Sequence, residues 1–287
     1  MMVSVRAVSR QQRLTAASRT PRAQVRWQKV GHWLLPWLIP LGGLVLWWVA
    51  VTSGWIQPYQ LPLPTTILRT FIDLVIHGEL ARHMQATLQR LAVGYILGAV
   101  FGVALGMLAG MSKTIRRAVD PTIQGVRAVP SLAWVPLFLL WFGIGERARV
   151  LLIALGVFLP VYFNTLAGVG GVDWRLVEVG YVYRLGRWKI LRTILLPGAL
   201  PGILTGLRSG LSLGWMFVVA AELLAASTGL GFLLVEGQST MRPDRVIVAL
   251  LLFAILGRFS DALLGAVEHA LLQWRETVAT AGQEEGS

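Results

Sequence analysis

Residues Leu176–Pro201 read LVEVGYVYRLGRWKILRTILLPGALP. Glu178, Arg184, Arg187, Lys189 and Arg192 are concentrated here, while nearly uniform apolar sequence lies on both sides. The pattern is helical from Asp173 to Tyr183 and again from Arg187 to Leu196, which predicts two short helices with a turn near Arg184–Gly186. In the second helix Trp188, Leu191 and Leu195 fall on one face, with Arg187 and Lys189 directed elsewhere. Pro197 and Pro201 are expected to stop it and let a new helix begin, because proline suits the first turn of a helix and not its middle. On pattern alone, the segment equally suits a pair of surface helices drawn to anionic lipid.

The surrounding chain explains why such a segment stands out. Of 287 residues, 55% are hydrophobic and 14% charged, against roughly 25% charged in an ordinary soluble domain. Mean hydropathy is +0.64. Several stretches reach the roughly 17–25 apolar residues that cross a bilayer core, so an all-α integral membrane protein is predicted. Six spans are expected, at 33–51, 88–111, 124–144, 149–169, 203–225 and 246–267. The net charge of +12 would suggest nucleic acid in a soluble protein. Here the basic residues lie between apolar spans, and the positive-inside rule accounts for them.

Residues 1–32 hold seven Lys/Arg and no acid, which reads as a basic cytoplasmic tail. An organellar transit peptide has a similar composition. The 112–127 loop (Lys113, Arg116, Arg117, Arg127) and the 170–202 segment are basic too, whereas 52–87, 145–148 and 226–245 are poor in basic residues. Six crossings with both termini in the cytoplasm satisfy the rule in every loop. The chain divides accordingly into the 1–32 tail, a 33–275 transmembrane domain whose charged segment is 173–197, and a 276–287 cytoplasmic tail. Within 52–87, Ile67, Leu68, Phe71, Ile72, Val75 and Ile76 recur at helical spacing, predicting an amphipathic helix at the outer surface.

Span two carries Gly94, Gly98, Gly102, Gly106 and Gly110, and span five repeats the device with Gly202, Gly206, Gly210 and Gly214. Such rows let helix backbones approach closely in lipid, either for static packing or for packing that slides. Pro130, Pro136 and Pro160 interrupt spans three and four. Broken helices at membrane depth are tolerated where they are buried or line a cavity.

An ionisable residue inside a span is costly and suggests function. Arg208, Glu222, Arg258 and Asp261 are such residues. At roughly 1.5 Å per residue, Arg208 and Asp261 reach similar depths, so Arg208–Asp261 or Arg258–Asp261 pairs are feasible. Glu222, near the outer end of span five, suits a gate or loop anchor. Asn164, in span four, suits an interhelical hydrogen bond. Together with Trp215, the residues Asn164, Arg208 and Glu222 are the candidates for a substrate pathway. No acid–base dyad or nucleophile constellation occurs. The chain has no cysteine, its four histidines show no metal-ligand spacing, and GMSKT at 110–114 lacks P-loop spacing.

The run from Glu178 through Gly180 and Arg184 to Ile194, Leu196 and Pro197 resembles the E-A-A-x3-G-x9-I-x-L-P motif of ABC-importer permeases. VPSLAWVPLFLLWFGIGE, LIALGVFLPVYFNTLAGV and VAAELLAASTGLGFLL resemble the branch that imports aliphatic sulfonates, taurine and nitrate, and are most similar to aliphatic-sulfonate permeases. The resemblance implies a type I importer fold whose coupling helices dock into a cleft of the ATP-binding subunit. Glu178, Val179, Gly180, Arg184, Gly186, Ile194, Leu196 and Pro197 would form that coupling surface. It also implies a homodimer, two ABC ATPase subunits, an extracytoplasmic solute-binding protein and the bacterial inner membrane. No cofactor is expected on this chain, since ATP and magnesium would be used by the partner. Two departures stand out: Gly180 replaces the motif's second alanine, and Arg184 replaces its glycine. Arginine takes a left-handed turn only at a cost, so Gly186 is expected to take over the bend, leaving Arg184 to touch the ATPase. A secondary transporter would need a coupling-ion site, for which Glu222 and Asp261 are thin support. The absent catalytic clusters and the proline-broken spans oppose a membrane enzyme or a simple anchor.

Overall fold

A computed structural model describes residues 38–130 and 133–284. The chain forms two units, Met1–Leu63 and Pro64–Ser287. The basic tail predicted over 1–32 lies outside the described residues, as does the start of the 33–51 span. In the first unit, the described part of α1 (Leu38–Thr52) is apolar, and the Trp47 indole N–H donates to the Pro62 carbonyl at 3.1 Å.

The second unit begins with α2 (Pro64–Ile76), with proline at its first position. Ile67, Thr70 and Leu74 face inward, whereas Leu68, Phe71, Ile72, Val75 and Ile76 are exposed. Most of the predicted apolar stripe therefore points away from the protein, as a helix resting in an interface requires. Next come α3 (Glu79–Met111), α4 (Lys113–Ala128), α5 (Trp134–Phe142) and α6 (Glu146–Gly170). The charged segment supplies α7 (Trp174–Val182), α8 (Arg187–Ile190) and a π turn over Leu191–Leu195. The chain closes with α9 (Leu196–Ala225), α10 (Leu230–Ser239) and α11 (Pro243–Glu284).

Among the described residues, four helical stretches are long and apolar enough to cross a membrane: Glu79–Met111, Glu146–Gly170, Arg187–Leu223 and Pro243–Gln273. The third expected span, 124–144, is not one helix. Val129 is extended (φ −75°, ψ 127°), because the ring of Pro130 clashes with a helical residue before it. Pro160, by contrast, lies inside an unbroken α6. The last span also runs past 267, and its helix continues to Glu284 through most of the predicted C-terminal tail.

The centre of this unit is α6, set between the two glycine rows. A Cβ added to Gly94 would fall 2.6 Å from Ile153 Cγ2, and one on Gly102 2.8 Å from Val161 Cβ. On Gly106 it would meet Thr165, and on Gly110 Val169, each a further turn along. From the other side, Gly202 meets Gly168 and Asn164, Gly206 meets Asn164 and Val161, and Gly210 meets Val161 and Val157. Val157 and Val161 are fully buried between the two rows. Lipid provides no hydrophobic force between helices, so this close approach holds them together by dispersion.

The rows make a paired prediction. Gly102→Ala is expected to destabilise the protein by about 1–3 kcal/mol through overpacking. Gly125→Ala, in α4 where nothing lies within 4 Å of the added Cβ, should be neutral or stabilising by up to about 1 kcal/mol. Thermal melting of the detergent-solubilised protein measures both.

Candidate functional site

The charged segment folds as a helix, a turn and a second helix that does not stop. Asp173 caps α7, accepting the Arg175 backbone N–H at 3.0 Å. At its other end the Leu185 N–H donates to the Gly180 carbonyl at 3.0 Å and the Arg184 N–H to Tyr181 at 2.9 Å. These two bonds form a Schellman cap, whose left-handed position is normally glycine. Here that position is Arg184, with φ 54°. Gly186 is extended (φ −64°, ψ 154°), so it does not take over the bend as expected. The cap geometry is set by which residue follows the last helical turn, and Arg184 occupies that place.

Gly180 also explains itself. A Cβ there would lie 3.0 Å from Ile194 Cδ1 and 3.2 Å from Ile190 Cγ1, so the missing side chain seats α7 against the helix that follows. Val177, Ile190 and Leu195 are the buried contacts of this junction. Pro197 and Pro201 do not end the second helix. Helical structure runs from Arg187 through the π turn into α9, and a widened turn relieves the clash between a proline ring and the preceding carbonyls. The same turn shifts the phase: Ile190 and Leu195 are buried, whereas Trp188 is exposed rather than sharing their face. Glu178 is exposed, as are Trp174, Leu176, Val179, Tyr181, Val182, Tyr183 and Trp188. The turn thus presents aromatic and apolar side chains among basic ones.

A second polar site, at the opposite end of the bundle, went unrecognised in the sequence apart from Glu222. The buried Arg90 side chain donates to Glu222 Oε1 at 2.5 Å, to both Glu146 oxygens at 2.7 Å, and to Thr228 O at 2.6 Å and Oγ1 at 3.1 Å. These contacts use all five guanidinium N–H donors. Glu222 also accepts from the Thr87 hydroxyl at 2.9 Å and the Gly231 N–H at 2.8 Å. The Leu230 N–H donates to Thr87 Oγ1 at 2.8 Å and the Gly229 N–H to His83 Nδ1 at 3.0 Å. Glu222 is thus the loop anchor that its position suggested, fixing residues 228–231 to α3. Gly229 has φ 123°, and a side chain there would run into Glu222 and Arg90. The available signal was Arg90 itself, a charge inside a predicted span.

The remaining pathway candidates have separate neighbours. Arg208 pairs with Asp261 through Nε–Oδ1 at 2.7 Å and Nη2–Oδ2 at 3.0 Å, the geometry of a bidentate ion pair. Trp215 Nε1 donates to Ser260 Oγ at 2.9 Å, on the same α9–α11 seam. Asn164 does not bridge helices: its Nδ2 donates to the Pro160 carbonyl at 2.8 Å within α6. Glu222 belongs to the cluster at the bundle end. Among the described residues, no group of three or more His, Asp or Glu could hold a metal ion.

Residues 102–273 match the family described as binding-protein-dependent transport system inner membrane component. The chain belongs to this family. It is an ABC-importer permease subunit, one that works with ATPase and binding-protein partners. It is 39% identical over 245 residues to a putative aliphatic sulfonates transport permease of Bacillus subtilis (strain 168), covering 85% of this chain and 89% of that one. To the taurine transport system permease of Escherichia coli (strain K12) it is 37% identical, covering 82% and 87%. Its fold matches the methionine ABC transporter MetNI in inward-facing conformations, with TM-score 0.60 at 21% identity, over 68% of this chain and 96% of that one. The permease is therefore an integral membrane protein of the type I importer fold.

Two outcomes follow from the site geometry. Arg184→Gly should raise stability by about 1 kcal/mol, since a non-glycine residue in the left-handed region costs about 1–2 kcal/mol. Arg90→Met should destabilise the permease by about 3–5 kcal/mol by leaving Glu222 buried without its cation. Melting in detergent reads both, and Arg90→Met with Glu222→Gln should recover part of the loss.

Proposed function

We propose that this permease forms a homodimer that imports a small organic anion, an aliphatic sulfonate, delivered by an extracytoplasmic solute-binding protein. Two ABC ATPases dock at Glu178–Gly186 and supply the energy, so the chain itself performs no chemistry and binds no cofactor. The observation that carries the coupling role is the exposed Schellman turn at Tyr183–Leu185, ringed by Val179, Val182, Tyr183 and Trp188. Such a rigid apolar projection among arginines suits insertion into a cleft of a partner, because aromatic side chains and arginine dominate binding energy at interfaces. Gly180 and Ile194 seat the turn on the π turn that leads into α9, while Leu196 and Pro197 begin the helix that carries its displacement into the membrane. Positive charge around this turn supports a cytoplasmic position for it, in a bacterial inner membrane with both termini on that side. ATP-driven closure of the partners would shift the permease between inward and outward states.

The sulfonate assignment is supported by the Bacillus subtilis relative. The taurine permease relative at 37% identity favours a second reading, in which taurine or another small anion such as nitrate is carried. Uptake of labelled alkanesulfonates, taurine and nitrate with the cognate binding protein separates these, and absence of alkanesulfonate uptake overturns the first. Glu178→Lys, or deletion of 178–186, is expected to abolish co-purification with the ATPase. Full association of a deleted but folded permease would overturn the docking assignment.

A further inference from the structure

Arg258 lies in the apolar membrane-spanning helix α11 (Pro243–Glu284), about 22 Å along it from Pro243 at roughly 1.5 Å per residue. Its side chain is 79% exposed, and the contact that holds it is a single one, Nη1 to Asp261 Oδ2 at 3.3 Å. A guanidinium cannot lie against hydrocarbon at that depth without a large penalty. The face it occupies is therefore covered by water or protein in the working transporter.

The arrangement of the cluster selects the occupant. Asp261 is engaged by Arg208 on both oxygens, and Glu268 receives Arg208 Nη1 at 3.3 Å. The two acids are 27% and 24% exposed, whereas Arg208 is 45% and Arg258 79% exposed. The four charges cancel, yet what they turn outward is guanidinium, with the carboxylates behind. Ile255 and Phe259 flank Arg258 and are exposed as well. A planar cation beside apolar surface suits a small anion with a short hydrocarbon part.

We propose that Arg258 meets the transported anion within the membrane, in a water-filled path along the α9–α11 seam, with Asp261 and Arg208 positioning it. This rests on the anion-importer reading and assigns that reading a contact residue.

The permease has no cysteine, so Arg258→Cys in the otherwise unaltered chain introduces a single thiol. The variant, assembled with its ATPase and binding protein in vesicles, is treated with an anionic thiol reagent, 2-sulfonatoethyl methanethiosulfonate. The expected result is modification at this position, slowed by a short alkanesulfonate. An unreactive thiol, as lipid or a second copy lying over this face would give, overturns the proposal. So does modification that alkanesulfonate, taurine and nitrate all leave unchanged. In parallel, Arg258→Gln should lower uptake from saturating loaded binding protein by about 10–100-fold, the loss of one charge-assisted hydrogen bond or ion pair. Arg258→Lys should restore most of it, with equal amounts of assembled transporter in each case. Wild-type uptake by Arg258→Gln would also overturn the assignment. Failure of the importer reading looks different: wild-type vesicles would then take up none of the three anions.

Discussion

The structure of Pro64–Ser287 depends on one line of contact, along which α6 lies between two helices stripped of side chains. Val157 and Val161 each touch glycines of both rows. Because apolar side chains gain nothing by leaving lipid for one another, the helices are held by dispersion and by whatever polar groups the close approach brings together. Register is then decided by steric fit. Each glycine of α3 accepts one residue of α6, four positions at a time, and a slip by one residue would place a Cβ where only a glycine Cα hydrogen fits.

That register also places the charges. Arg90 lies one turn before Gly94, so setting Gly94 against Ile153 brings Arg90 opposite Glu146, and the second row brings Glu222 to the same point. A buried arginine with all five donors engaged by two carboxylates, a carbonyl and a hydroxyl is expensive to assemble piecemeal and stable once complete. It ties α3, α6, α9 and the 228–231 loop into one unit at that end. At the opposite end the chain makes a contrasting choice. The Tyr183–Leu185 turn has Val177, Gly180, Ile190 and Leu195 buried beneath it and leaves its aromatic residues in the open. Since helical structure is continuous from Arg187 into α9, a force on the turn has a stiff path into the glycine-packed core. The π turn at Leu191–Leu195 lies on that path, where widened turns commonly mark functional sites.

Much of this was legible from periodicity. The amphipathic helix at Pro64–Ile76, the two glycine rows and the helix–turn–helix of the charged segment all follow from spacing and from residues with a single physical use. Depth made an Arg208–Asp261 or an Arg258–Asp261 pair feasible, because a charge in a span needs a partner at its own level, and both contacts form. Prolines were less readable. Pro130 breaks the helix and Pro160 does not, although both stand in apolar runs, since the outcome depends on whether neighbouring helices hold the segment straight. Pro197 was read as a stop and proved to lie within a helix, because a π turn needs no sequence signature that proline or glycine would give.

What the sequence by itself determined is an α-helical membrane protein with a charged helix–turn–helix segment in its middle, since hydropathy and spacing are local properties. Only the tertiary structure decided which residues share a neighbourhood: Arg90 with Glu146 and Glu222, Gly180 with Ile194, and Arg184 in the left-handed seat that Gly186 was expected to fill. The reason is physical. A hydrogen bond or ion pair is defined by distances of about 3 Å between atoms far apart in the chain, and in this bundle those distances are set by how far two glycine rows let three helices approach.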